Sequence, residues 1–196
     1  SSLGTVVSDG RAVLRAAESG WPRGMTGQFR VTRFEADPEG ILDSPLQLAG
    51  AELDWQLDFD PFRLVLGRFR STDPALPLRL SGTLAAEREG WRLALDGRLD
   101  EIGHEALLAY WPEAVVANTR RWVAENIHAG HLRDAIFALR LAPGGKVQPY
   151  IDARLDGVEL TYARALPRLT GAAGQLTIYD NRLAMTLEAG QVTPPE

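Results

Sequence analysis

The amino-acid sequence predicts a mainly β fold: a curled antiparallel sheet of repeated hairpins, with one helical insert over about 101–129. Three observations carry that expectation. Apolar residues recur at period two along most of the chain, turn-forming clusters separate the alternating runs, and one central region shifts to helical period. The chain has 196 residues, 45% of them hydrophobic and 24% charged, which is enough apolar material for a core without metal or disulfide support.

Taken in order, the stretch 11–19 reads as a helix or a strand, with strand preferred because Asp9-Gly10 has the composition of a hairpin tip. Phe29, Val31 and Arg33 alternate with Arg30, Thr32 and Phe34 in a second strand, and Asp37-Pro38-Glu39-Gly40 is a turn. From Leu46 to Asp60 the run is clearest: Leu53, Trp55, Leu57 and Phe59 alternate with Glu52, Asp54, Gln56 and Asp58. The pattern resumes after Pro61 as Phe62, Leu64 and Leu66, then as Leu76, Leu78, Leu80 and Leu84, where Pro77 marks a strand start or edge. A polar turn at Glu87-Arg88-Glu89-Gly90 leads into Trp91, Leu93, Leu95 and Leu99.

The period then changes. A short helix is expected over about 101–110. A longer one is expected from Pro112 to Ala129, with Val116, Thr119, Val123 and Ile127 as its stripe, Val115 and Trp122 widening it, and Gly130 as its stop. Strands return at His131, with Phe137, Leu139 and Leu141, a turn at Pro143-Gly144-Gly145-Lys146, then Val147, Ile151, Ala153 and Leu155. The last hairpin is Leu176 and Ile178, a turn at Asp180-Asn181, then Leu183, Met185 and Leu187. Gly82-Thr83-Leu84 with Trp91–Leu95 is echoed by Gly174-Gln175-Leu176 with Asn181–Met185, as a repetitive β architecture would produce.

This gives three consecutive parts, 1–100, 101–130 and 131–196, in one continuous domain. The chain opens mid-pattern and stops at Thr193-Pro194-Pro195-Glu196, which reads as a piece of something longer. Roughly eight to ten strands present an apolar face, and one helical region is too small to cover them all. The face must be buried by a second sheet, by closure into a barrel, or by curling into a trough whose lining takes a ligand or a neighbouring segment.

Composition narrows the chemistry. With no cysteine, disulfides, thiolate metal sites and cysteine nucleophiles are excluded. Lys146 is the only lysine, so Schiff-base and Walker-type phosphate chemistry are excluded too. A net charge of −5 with scattered arginines lacks the footprint of a nucleic-acid binder. No run approaches the ~18 apolar residues of a spanning helix.

His128 and His131, with Glu125 and His104-Glu105, are the candidate metal ligands, but a Glu-x-x-His site needs a second copy, and only one is present. Ser8, Ser19, Ser44, Ser71 and Ser81 occur in no Gly-x-Ser-x-Gly run. Asp54, Asp58, Asp60, Asp96 and Asp100 alternate with apolar residues, as on a solvated sheet face rather than in a glycosidase pair. Gly171-Ala172-Ala173-Gly174 lacks the helix and lysine of a phosphate loop, Arg120-Arg121 read as an exposed helix face, and Trp21, Trp55, Trp91, Trp111 and Trp122 read as anchors of packing.

Two blocks carry a resemblance. The first is Leu107-Leu108-Ala109-Tyr110-Trp111-Pro112 with Arg121–Ile127 and Gly130–Ala135; the second is Gly157–Tyr162 through Leu166-Pro167 to Gly174-Gln175-Leu176. In order and spacing they resemble the helical insert and following strand pair of the AsmA-like proteins, specifically the YhdP branch. The resemblance implies a Gram-negative periplasmic protein, anchored in the inner membrane outside this stretch, whose hydrophobic groove carries phospholipid between inner and outer membranes.

It implies no catalytic residue and no cofactor. The partners it implies are phospholipid or another acyl-chain ligand, neighbouring segments of the full-length chain, and proteins of either membrane. On that expectation the groove lining is Leu53, Trp55, Leu57, Phe59, Leu64, Leu66, Leu80, Leu84, Leu93, Leu95, Phe137, Leu139, Leu141, Ile151, Leu155, Leu176, Ile178 and Met185. The competing expectations are an envelope assembly module built as a filled β-sandwich, and a metal-dependent hydrolase centred on His128 and His131.

Overall fold

Hairpin after hairpin, the alternating runs pair with their sequence neighbours. A computed structural model describes residues 5–18, 20–36, 46–111, 116–163, 166–179 and 182–192. Its strands are β1 (Thr5–Ala16), β2 (Pro22–Ala36), β3 (Leu46–Leu48), β4 (Ala51–Phe59), β5 (Phe62–Ser71), β6 (Leu78–Glu87), β7 (Gly90–Gly103), β8 (Ile127–Leu141), β9 (Gln148–Leu160), β10 (Leu169–Tyr179) and β11 (Arg182–Val192). All eleven belong to one antiparallel sheet in sequence order, with the short β3 pairing β2 off the main path. Between β7 and β8, which pair with each other, lie the helices α1 (His104–Tyr110) and α2 (Ala117–Asn126).

The sheet is open: β1 and β11 are its edges, and among the described residues no second sheet packs on it. The filled sandwich is thereby corrected, because consecutive hairpin pairing leaves no strands for a second layer. The accessible surface is 12778 Å², whereas a compact monomer of 21.5 kDa has about 9,200 Å². A single layer with one small cover accounts for the excess.

Three glycines admit an aromatic ring from the next strand. Gly10 lies opposite Phe29, Gly27 opposite Trp55 and Gly97 opposite Phe137, and a Cβ on any of them would fall within 2.5 Å of that ring. Such Gly–aromatic pairs hold strand register where a glycine alone would weaken it. They also correct the first turn expected from sequence. Asp9-Gly10 lies inside β1, because Phe29 covers the glycine and the strand runs straight through.

The helices are shorter than their spacing predicts. α1 begins at His104, since 101–103 still pair with β8. α2 ends at Asn126, where the Ile127 amide closes the last turn on the Val123 carbonyl and the Thr161 amide donates to the Asn126 carbonyl at 2.9 Å. Gly130 therefore does not stop a helix. It sits in β8 with φ 122°, against Val158, where a Cβ would come 2.7 Å from that backbone. The expected helix start at Pro112, Val115, and the turns at 37–40 and 180–181 lie outside the described residues.

Candidate functional site

Residues directly opposite in an antiparallel pair share a face, so strand register assigns every candidate lining residue. Phe29, Leu53, Phe69, Leu80, Gly97, Phe137, Ile151, Ile178 and Leu183 form one such row, crossing nine strands from β2 to β11. At ~4.8 Å per strand this is an apolar path about 38 Å long. Parallel rows place Leu57, Leu64, Leu84, Leu93 and Leu141 together, and Trp55, Leu66, Gly82, Leu95 and Leu139 together. Phe59, Leu155, Leu176 and Met185 stand on the same face by the same rule.

The face is covered unevenly. Leu155, Leu176 and Ile178 are buried, Phe59 is exposed, and the other candidate lining residues are half-buried. Where α1 and α2 fold over β7–β11 they roof an apolar cavity of about 380 Å³, within the usual range for small-molecule sites. Phe137, Leu139, Ile151, Leu155, Leu176, Ile178 and Met185 line it; the remaining candidates lie on the same face outside it. This one cavity touches Leu78 of β6 and Leu183 of β11, strands some 24 Å apart on a flat sheet. The sheet is therefore curled there.

Sequence reasoning missed the other half of the lining. Leu99, Ile102, Leu132 and Ala135 belong to it, as do Leu107, Tyr110, Trp122 and Val123 of the helices. The helical stripe signalled Trp122 and Val123. Leu132 escapes the alternation because a bulge at Asp134, with φ 52°, changes the parity of β8. Val116, which leads into α2, has φ 51°, a strained value for a β-branched residue. Arg120 ties the two helices, donating to the Trp111 carbonyl at 2.9 Å and the Leu108 carbonyl at 3.2 Å.

The opposite face is polar and laced with ion pairs. Asp54 meets Arg68 at 3.1 Å, Asp58 meets Arg15 at 2.5 Å, Asp96 meets Arg140 at 2.6 Å and Asp100 meets Arg79 at 3.2 Å. Hydrogen bonds from Arg15 first, and from Gln56, hold the Asp58 carboxyl below its ordinary range. Arg92 does the same for Glu87, and its own pKa is raised in return.

His128 and His131 lie on β8, not at a helix end, and His128 Nε2 is 2.8 Å from the Thr161 hydroxyl. His104 and His131 border the cavity beside apolar side chains. Among the described residues no group of three or more His, Asp or Glu side chains gathers as a metal site would require. In comparisons with models of protein families, with curated proteins and with solved structures, nothing matches the chain.

Proposed function

We propose that the chain is a segment of a hydrophobic groove that conducts phospholipid acyl chains between the inner and outer membranes of a bacterial envelope. The observation that carries this reading is the incomplete cover. Leu53, Trp55, Leu57, Leu64, Leu66, Leu80, Leu84, Leu93 and Leu95 each keep part of their surface in water on one side of a single sheet. Half-covering one such side chain forgoes on the order of 1 kcal/mol. Nine of them in one patch make that face avid for hydrocarbon.

The groove would work without covalent chemistry or cofactor. Acyl chains slide along the apolar rows while the headgroup stays in water at the open side, so movement breaks only weak, interchangeable contacts. In line with the resemblance to AsmA-like proteins, the setting would be the periplasm, with an inner-membrane anchor and further groove supplied by other parts of a longer chain. Proteins of both membranes would be partners at the two ends.

The test is extraction of the chain purified from cells, followed by mass spectrometry. The expected result is phospholipid in stoichiometric amount, together with lipid adducts on a photo-crosslinking residue at Leu93; a lipid-free chain without adducts overturns the reading. The unpaired edges β1 and β11 favour a second reading, an envelope assembly module that pairs with strands of other proteins. That module would come out of the same extraction empty.

A further inference from the structure

Exposed aromatic side chains gather at one end of this sheet. We propose that the hairpin-tip end rests in the interface of a zwitterionic phospholipid bilayer. The inference rests on the acyl-chain reading: the apolar rows run across the strands, so a bilayer at the hairpin tips would meet the groove along its flank. β1, β4, β6, β8 and β10 all run toward this end, where the chain reverses into β2, β5, β7, β9 and β11. Trp21, Phe59, Phe62, Trp91, Tyr150 and Tyr179 lie in or within three residues of those reversals, with at least one at each. Trp21 is 73% exposed, Tyr179 67%, Trp91 49%, Phe59 40% and Tyr150 38%. At the opposite end the one aromatic exposed to this degree among the described residues is Tyr162.

Tryptophan and tyrosine combine an apolar ring with a polar N–H or O–H, which makes the headgroup layer their preferred medium. The rings also stand on both sides of the sheet. Phe62 and Trp91 meet edge to face at 5.4 Å on the apolar side, whereas Tyr179 alternates with Ile178 to the other side and meets Tyr150, which also borders the cavity, at 6.4 Å. A protein partner laid on one face would reach only half of them. A bilayer surrounds the tip and reaches all.

The test is flotation of the 196-residue chain with phosphatidylcholine vesicles on a density gradient, with tryptophan quenching by brominated lipid as a depth readout. Wild type is expected to float and to be quenched. A Trp21→Ala/Tyr179→Ala variant, altered at two side chains that lie mostly in solvent, should keep its melting temperature and lose vesicle partitioning roughly tenfold. Wild type left at the bottom of the gradient overturns the proposal, and so does a double variant that floats equally well. Uptake of a fluorescent fatty acid in vesicle-free buffer reads the groove separately. Uptake without flotation sinks the docking surface alone, and flotation without uptake counts against the groove alone.

Discussion

The two ends of the sheet order carry the same alternation and come to different states. In β4–β6 the apolar positions Leu53, Leu57, Leu64, Leu66, Leu80 and Leu84 remain half-buried. In β9 and β10 Leu155 and Leu176 are buried, and Leu160 and Ile178 are 1% exposed. Trp111 and Val123 of the helical insert close over Ile178, while Leu155, Val158, Leu160, Ala172 and Leu176 pack on one another. Period-two spacing thus chooses a face; whether anything lies upon that face depends on where the chain sends its non-strand segments.

The largest effect should come from breaking that contrast at its buried end. Leu160→Ala or Ile178→Ala is expected to lower unfolding free energy by about 3 kcal/mol, while Leu80→Ala should lower it by about 1 kcal/mol or less. Urea denaturation of the three variants measures both. Equal losses would mean that the open face is covered in solution.

How far the sequence discloses this arrangement follows from particular residues. Strand faces in β4, β6 and β7 are legible because Trp55, Leu84 and Leu95 alternate regularly with their neighbours. Parity slips in β5, where Leu66 and Phe69 reach one face three residues apart, and again at Asp134, Gly157 and Gly171, with φ values of 52°, 60° and 60°, and nothing in local composition separates a bulge from a turn. Gly10 and Gly130 mislead for a related reason. Each makes room for a neighbouring strand, Phe29 in one case and Val158 in the other, whereas local rules assign such glycines to turns and helix stops. Half the candidate site, the roof from α1 and α2, depends on tertiary placement that no periodicity encodes.

The open end of the contrast sharpens with a polar substitution. Leu95→Gln should cost under about 1 kcal/mol of stability, since its amide can reach water, yet cut fatty-acid probe uptake roughly tenfold by interrupting an apolar row. The same change at buried Leu155 should instead destabilise the fold. Should uptake survive Leu95→Gln, the uncovered face would not be the path of the hydrocarbon.

A more local effect separates the roof from the sheet. Arg120→Ala removes the part-buried bonds to the Leu108 and Trp111 carbonyls, at about 2 kcal/mol for charge-assisted bonds. Amide exchange should quicken in α1 and α2 and stay unchanged in β4–β6. If both regions quicken together, roof and open face form one cooperative unit.

The smallest effect concerns the polar side of the open region. Asp58 titrates below its ordinary value because Arg15 bonds it across the width of β2. A lowered folded-state pKa adds stability above the ordinary carboxylate value, and that increment disappears as pH falls through the lower one. The acid limb of a thermal-denaturation series should therefore shift slightly toward higher pH in Arg15→Gln. Gly24 lies between the partners, but a Cβ there would first meet the Leu57 carbonyl oxygen of β4, ahead of the Arg15 guanidinium at 2.8 Å. Gly24→Ala would strain the β2–β4 ladder itself, so the cleaner partner test is Asp58→Asn, which should reproduce the Arg15→Gln acid limb; a wild-type acid limb in that variant would show that the Asp58 carboxylate does not contribute to it.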